Sequence, residues 1–247
     1  MGKKWIPIES NPAVLNDYAK KLGFDIGKYA FCDILGLDEE LLAMVPSPVV
    51  AVILLFPVTD KYQALKGAED EDLKAAGYKG GPASLYFMKQ TISNACGTIG
   101  VLHAIGNNLD KAELEDSSFF QRFFADTKEM SPADRGAYLL NPPPDAPDLD
   151  EAHHAAAQEG ATAPPPLEEA VNLHFAALVE RDGRLWELDG CKSFPIDHGP
   201  TSPATLLHDA AGVARAFMAS TESLSFTLLA LAAPDQEYLV QHEIDAA

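Results

Sequence analysis

The chain has 247 residues, of which 47% are hydrophobic and 22% are charged, and this composition is typical of a folded globular domain. Its 37 acidic and 18 basic residues give a formal net charge of -19, which disfavours binding to the phosphate backbone of nucleic acids. No apolar run is long enough to cross a bilayer, and the N-terminus lacks the apolar stretch of a secretory signal. We therefore expect one domain spanning residues 1–247, located in the cytoplasm or the nucleus, with no membrane association.

The three cysteines, Cys32, Cys96 and Cys191, cannot all pair within one chain. Their spacing fits neither a disulfide framework nor a tetrahedral zinc site. We therefore expect reduced thiols and a protein that needs no metal or cofactor. A reactive thiol requires surroundings that favour its deprotonation, so the local sequence must identify which cysteine is reactive.

The first half of the chain predicts helices around one strongly apolar strand. Asn11 and Pro12 are typical of a helix start and predict a helix to about Leu22. The segment Val49–Phe56 is rich in branched apolar residues and lies between prolines, which predicts a buried central strand. Further helices are predicted at Asp38–Met44, Thr59–Ala76, Ser117–Glu129 and Ser131–Leu140.

A buried helix is predicted to begin near Cys96, because small and apolar residues follow this position on all sides. Ser93 or Asn94 is expected to cap its start, and Gly106 is expected to end it in a left-handed conformation. The sulfur would then lie at the positive end of a helix dipole, which favours a thiolate.

The segment Asn141–Pro166 contains seven prolines and shows no apolar period. It is therefore predicted to be a long mobile loop, and long loops inside compact domains are usually functional. A linker between two domains is the alternative interpretation. Cys96 lies before this segment, and His174 and Asp189, which could act with it in catalysis, lie after it. The two sides must therefore pack into one body.

The second half predicts a hairpin in which Val171–Glu180 and Arg184–Leu188 flank the turn Arg181–Gly183. Strand alternation puts His174 on one face, and Asp189 follows the partner strand directly. Crossing the turn can therefore bring His174 and Asp189 together. A helix at Ser202–Ser220 and a final strand at Ser225–Ala233 complete the prediction.

Four residues supply the separate functions that thiol attack on a carbonyl requires. Cys96 can be the nucleophile, His174 the general base and then acid, and Asp189 the group that orients the imidazole. The side-chain amide of Gln90 and the backbone amide of Cys96 can donate hydrogen bonds to the developing oxyanion. A metal site at His153 and His154 is a competing hypothesis, but adjacent histidines in a flexible loop form a poor chelate.

The segments around these residues resemble the signature segments of the ubiquitin carboxyl-terminal hydrolase family, and the chain is most similar to its short single-domain isozymes. The similarity lies in Gln90–Thr98, Asn172–Phe175 and Leu185–Gly190. It implies an α/β fold with a central antiparallel sheet of about six strands flanked by helices, a papain-like core and a knotted backbone. It also implies that Cys96 is the nucleophile, Gln90 the oxyanion donor, His174 the base and Asp189 its orienter.

The resemblance further implies a monomeric thiol hydrolase that cleaves the amide or ester bond after the C-terminal glycine of ubiquitin. The segment Asn141–Pro166 would cross the active site and admit only small or unfolded leaving groups. An acidic surface would steer basic ubiquitin, with Glu9 and Asp33 either contacting it or serving as ordinary solvated acids. A related ubiquitin-like modifier remains open as substrate, and so does a binding protein that sequesters monomeric ubiquitin with little turnover.

Overall fold

A six-stranded, fully antiparallel sheet forms the centre of the protein. The computed structural model describes residues 2–144, 149–167, 169, 171–221 and 225–241. The strands lie in the order β1-β6-β2-β3-β4-β5. They are β1 (Ala30–Asp33), β2 (Val49–Pro57), β3 (Leu173–Arg181), β4 (Arg184–Leu188), β5 (Ile196–Pro200) and β6 (Thr227–Ala232). This confirms the predicted sheet and the position of Val49–Phe56 inside it.

Helices cover both faces of this sheet. Asn11, Thr59, Ser118 and Ser131 each accept a hydrogen bond from a backbone N–H in the first turn of a helix. The predicted starts at Asn11, Thr59 and Ser131 are thus confirmed, and the start predicted at Ser117 lies one residue later. No helix among the described residues is long and apolar enough to cross a membrane. The helices are α1 (Pro12–Lys21), α2 (Glu39–Leu42), α3 (Asp60–Ala75), α4 (Cys96–Gly106), α5 (Phe119–Thr127), α6 (Pro132–Leu140), α7 (Leu149–Gln158), α8 (Leu206–Thr221) and α9 (Gln236–Gln241).

The sheet separates two apolar clusters, and strand alternation decides which side chain joins which cluster. On β3, Phe175 and Val179 face the cluster that contains α4. Ala176 and Leu178 face the opposite cluster, which contains the buried side of α8. This is the predicted alternation, and it puts the even-numbered His174 on the α8 side of the strand.

The start and the end of α4 differ from the prediction. Ala95 occupies the N-cap position, and no side chain caps the helix. Asn94 adopts a left-handed conformation at φ 61°, and its side chain donates to the Trp5 carbonyl 3.1 Å away. Gly106 is the last helical residue, and a Cβ there would lie 2.7 Å from the Tyr86 ring. The predicted cap was wrong, and Gly106 is required for close packing instead.

The prediction of a structureless loop at Asn141–Pro166 was wrong over residues 149–158, where α7 forms. Its buried face consists of Leu149, His153, Ala156 and Ala157, which recur at helical spacing. A histidine and two alanines give a weak apolar signal, and the surrounding prolines hide it further. Residues 145–148 of this segment lie outside the described residues.

Candidate active site

Cys96 is the first residue of α4, and this helix packs directly on β3. A Cβ at Gly97 would lie 3.6 Å from the Phe175 ring, and one at Gly100 would lie 3.7 Å from the Cβ of Phe175. These are ordinary contact distances, so the helix lies within side-chain reach of the strand and an alanine would also fit at either position. This packing brings the start of α4 close to the start of β3, where His174 lies.

The β3-β4 hairpin brings His174 and Asp189 together, as predicted. Asp182 and Gly183 both have positive φ, at 55° and 75°, which matches a two-residue turn that follows the strand twist. The Nε2–H of His174 donates to Oδ1 of Asp189 over 2.6 Å. Asp189 is fully buried, so this hydrogen bond is protected from water.

The surroundings of this pair strongly favour its ionised form. Burial alone would lower the pKa of His174, but hydrogen bonds with the side chains of Asp189 and Cys96 raise that pKa well above its ordinary value. Burial alone would raise the pKa of Asp189, but His174 and the Cys191 N–H bring it far below its ordinary value. The geometry therefore stabilises an imidazolium beside a carboxylate, close to the Cys96 thiol.

Gln90 is hydrogen-bonded to the segment that contains Asp189. Its backbone N–H donates to the Gly190 carbonyl over 3.0 Å, and its side-chain Nε2 donates to the Ile92 carbonyl over 3.1 Å. A Cβ at Gly190 would lie 3.0 Å from the Gln90 backbone nitrogen and 2.9 Å from Ile99. The glycine after Asp189 is thus needed for a close backbone approach.

His103 connects three of the segments that form the site, and its role was missing from the sequence interpretation. Its Nδ1–H donates to the Leu188 carbonyl over 3.1 Å, and its Nε2 accepts from the Met88 N–H over 3.0 Å. Acceptance at Nε2 requires the neutral imidazole, and burial lowers the pKa of His103 to about 4. The only sequence signal was a histidine inside an otherwise apolar helix.

A cleft of about 240 Å³ opens beside Cys96. Its floor includes Phe175 from β3, and residues 162–165 of the predicted crossover segment line its other side. Glu9 also lines the cleft, and its carboxylate accepts hydrogen bonds from the N–H and the hydroxyl of Thr162, both at 2.9 Å. The backbone hydrogen bond from Thr162 lowers the pKa of Glu9.

The structure does not bring Asp33 to this cleft. Asp33 ends β1 at the edge of the sheet, and both β6 and β2 lie between that strand and β3. Glu9 and Asp33, each interpreted as either a ubiquitin contact or a solvated acid, therefore lie in different places. A contact between ubiquitin and either acid stays a prediction.

Two groups of potential metal ligands already take part in hydrogen bonds within the protein. The donor atoms of His174, Asp189 and Cys191 lie within 4.8 Å of one another, and such a donor set suits zinc. The first two are already bonded to each other, so a cation would compete with that bond. His153 is buried in α7, where Ile6 and Thr98 occupy its two nitrogens at 2.7 and 2.8 Å. A metal at His153 and His154 would therefore have to break the two hydrogen bonds of His153.

Comparison with known proteins identifies relatives over most of the chain. The sequence profile described as "Ubiquitin carboxyl-terminal hydrolase, family 1" matches residues 5–219. Ubiquitin carboxyl-terminal hydrolase 3 of Arabidopsis thaliana is 43% identical over 230 residues, which cover 93% of this chain and 94% of the relative. Isozyme L1 of Rattus norvegicus is 44% identical over 211 residues, which cover 85% of this chain and 90% of the relative.

The fold has a solved counterpart in the crystal structure of the Trichinella spiralis UCH37 catalytic domain bound to ubiquitin vinyl methyl ester. The TM-score is 0.68 at 20% sequence identity, over 94% of this chain and 96% of that chain. At this identity the likeness shows a shared fold. The sequence relatives, in contrast, are similar enough to show the family. The chain belongs to the ubiquitin carboxyl-terminal hydrolases, a family of deubiquitinating thiol peptidases.

Proposed function

We propose that Cys96, His174, Asp189 and Gln90 together hydrolyse the amide or ester bond after the C-terminal glycine of ubiquitin. The observation that supports this most directly is the buried 2.6 Å hydrogen bond between His174 and Asp189, next to a thiol at the start of a helix. Each of the four residues carries the functional group that its proposed role requires: a thiol, an imidazole, a carboxylate and an amide.

In the proposed reaction the imidazole of His174 takes the thiol proton of Cys96, and the Asp189 carboxylate stabilises the resulting imidazolium. The thiolate attacks the carbonyl carbon, and the imidazolium then donates its proton to the leaving amine or alkoxide. A thioester of Cys96 and ubiquitin remains. His174 next removes a proton from water, and the hydroxide attacks the thioester carbonyl. The C–S bond then breaks, the free ubiquitin C-terminus leaves, and the imidazolium returns its proton to the Cys96 sulfur.

Two hydrogen-bond donors are available for the oxyanion that forms during each attack. The backbone N–H of Cys96 lies in the first turn of α4, where no earlier helical carbonyl can accept its hydrogen bond. The Gln90 amide nitrogen carries two hydrogens, and donation of one of them to the Ile92 carbonyl fixes the amide in place. The second hydrogen remains for the oxyanion.

Gln90→Ala is expected to lower kcat by about a hundred- to a thousandfold, because one oxyanion donor contributes roughly 2.7–4 kcal/mol. Steady-state hydrolysis of a fluorogenic ubiquitin amide measures this effect, with KM nearly unchanged. Gln63→Ala, on the exposed side of α3, is the matched control and should behave as wild type. A Gln90→Ala enzyme with wild-type kcat would contradict the oxyanion role.

We propose that residues 141–166 restrict the size of the leaving group. Residues 162–165 line the cleft at Cys96, Glu9 binds Thr162, and His153 docks α7 on Thr98 of the catalytic helix. We expect rapid release of a small amine from the ubiquitin C-terminus and slow release of a folded domain fused there. The two rates are compared at equal substrate concentration, and equal rates would contradict a size filter.

The sequestering function remains the alternative, and the same fluorogenic assay separates it from catalysis. A pure binder would show turnover no higher than the Cys96→Ala variant, whereas a hydrolase exceeds it greatly. Matched substrates made from ubiquitin and from a ubiquitin-like modifier test the preferred substrate. We further propose that residues 1–247 form a single monomeric catalytic domain with the papain-like core and knotted backbone that the family resemblance implies.

A further inference from the structure

Helix α3 is attached to the segment that follows β4 by side-chain contacts, although the two are more than one hundred residues apart in sequence. Three different pairs make this attachment, so the segment with Asp189 is held along one side of the helix. The hydroxyl of Tyr62 donates to Asp189 Oδ2 at 3.1 Å, Lys192 Nζ donates to Glu69 at 2.7 Å, and the Ser193 hydroxyl donates to Asp70 at 3.1 Å.

The hydrogen bond from Tyr62 gives each oxygen of the Asp189 carboxylate a separate set of partners. Oδ1 accepts from His174 at 2.6 Å and from the Cys191 N–H at 2.7 Å. Oδ2 accepts from the Tyr62 hydroxyl. With both oxygens bonded, the carboxylate is held against rotation about its Cβ–Cγ bond, and Oδ1 stays directed at the imidazole.

We propose that Tyr62 is a positioning residue for catalysis, which acts through Asp189 and not through contact with the substrate. This inference rests on the proposed role of Asp189 in orienting His174. Without the hydroxyl, Oδ2 is a buried anionic oxygen that has lost a donor. The carboxylate can then rotate, and the imidazole spends less time aligned with Cys96.

The hydroxyl can be tested separately from the ring that carries it. The Tyr62 ring packs against Phe56 at a centroid distance of 4.9 Å and against Phe217 at 6.1 Å. Tyr62→Phe keeps these contacts and removes only the oxygen. The chain also provides a matched control, because Tyr138 donates to Asp126 at 2.6 Å on the exposed surface. Tyr138→Phe therefore removes the same type of hydrogen bond outside the site.

We expect Tyr62→Phe to lower kcat about tenfold with KM unchanged, since hydrogen bonds to charged groups are worth more than neutral ones. Alkylation of Cys96 by iodoacetamide, followed on the Cys96 peptide by mass spectrometry, should slow by a similar factor. This second assay reports on the thiol without requiring ubiquitin. Tyr138→Phe should match wild type in both assays.

A double-mutant cycle decides whether Tyr62 acts through Asp189. In an Asp189→Asn background, Tyr62→Phe should cause little further loss of kcat. If the double mutant instead loses kcat by the product of the two single-mutant factors, the inference is overturned. Wild-type kcat in Tyr62→Phe would also overturn it, while the impairment of Asp189→Asn would leave the proposed function standing. Full activity of Asp189→Asn would instead overturn the catalytic assignment on which the inference rests.

Discussion

Replacing Cys96 with alanine is expected to abolish nearly all turnover of a ubiquitin amide. Loss of the nucleophile from a comparable triad lowers kcat by about 2 × 10⁶-fold. The expected loss is this large because His174, Asp189 and Gln90 carry no thiol that can form the thioester intermediate. The variant should still bind ubiquitin, since Cys96 contributes only a small part of the cleft surface.

Cys191 provides the matched control for this experiment. It is the exposed cysteine, and its sulfur lies close to His174 and Asp189. It does not line the cleft, whereas Cys96 does. A ubiquitin C-terminal vinyl electrophile should label wild type and Cys191→Ser and should fail to label Cys96→Ala. Labelling of Cys96→Ala at Cys191 would show that the neighbouring thiol can take the nucleophile's place.

The features that were predicted correctly depend on short stretches of sequence. Asn11, Thr59 and Ser131 cap helices through hydrogen bonds to residues within three positions of them. The Arg181–Gly183 turn fixes the hairpin register locally, and this register brings Asp189 to His174. The pairing of His174 with Asp189 was therefore accessible from sequence, because a local turn sets it.

The features that were missed depend on distant partners or on weak apolar signals. Strand β5 contains Asp197, His198 and Gly199, and only its pairing with β4 makes it a strand. Tyr62 reaches Asp189 across the fold, so no periodicity could connect them. His103 likewise carries no local sign of the two backbone groups that it bonds. Tertiary contacts decide these positions.

A buried ion pair close to Asp189 should dominate the stability of this region. Glu187 on β4 is 1% exposed, and Lys192 Nζ lies 2.8 Å from its carboxylate. Lys192→Met is expected to lower the free energy of unfolding by about 3–5 kcal/mol, because it leaves a buried carboxylate with the His198 hydrogen bond but without its permanent cation. Urea unfolding measures this loss, and Glu187→Gln added to Lys192→Met should restore part of it.

An exposed pair provides the control for that measurement. Lys74 lies 3.1 Å from Glu71, and their side chains are 50% and 78% exposed. Lys74→Met should therefore change the free energy of unfolding by less than about 1 kcal/mol. Equal losses in Lys74→Met and Lys192→Met would mean that burial does not govern the strength of these pairs.

The same ion pair predicts how the Lys192→Met effect depends on pH. Burial alone would raise the pKa of Glu187, but Lys192 and His198 bring it below its ordinary value. The contribution of Glu187 is therefore complete above its unfolded pKa of about 4.3 and is lost as the pH falls through the folded value. Burial alone would lower the pKa of Lys192, but Glu187 raises it, so that contribution is lost only in strong alkali. The difference between wild type and Lys192→Met should thus be largest near neutral pH and shrink in acid, and a constant difference would contradict the assignment.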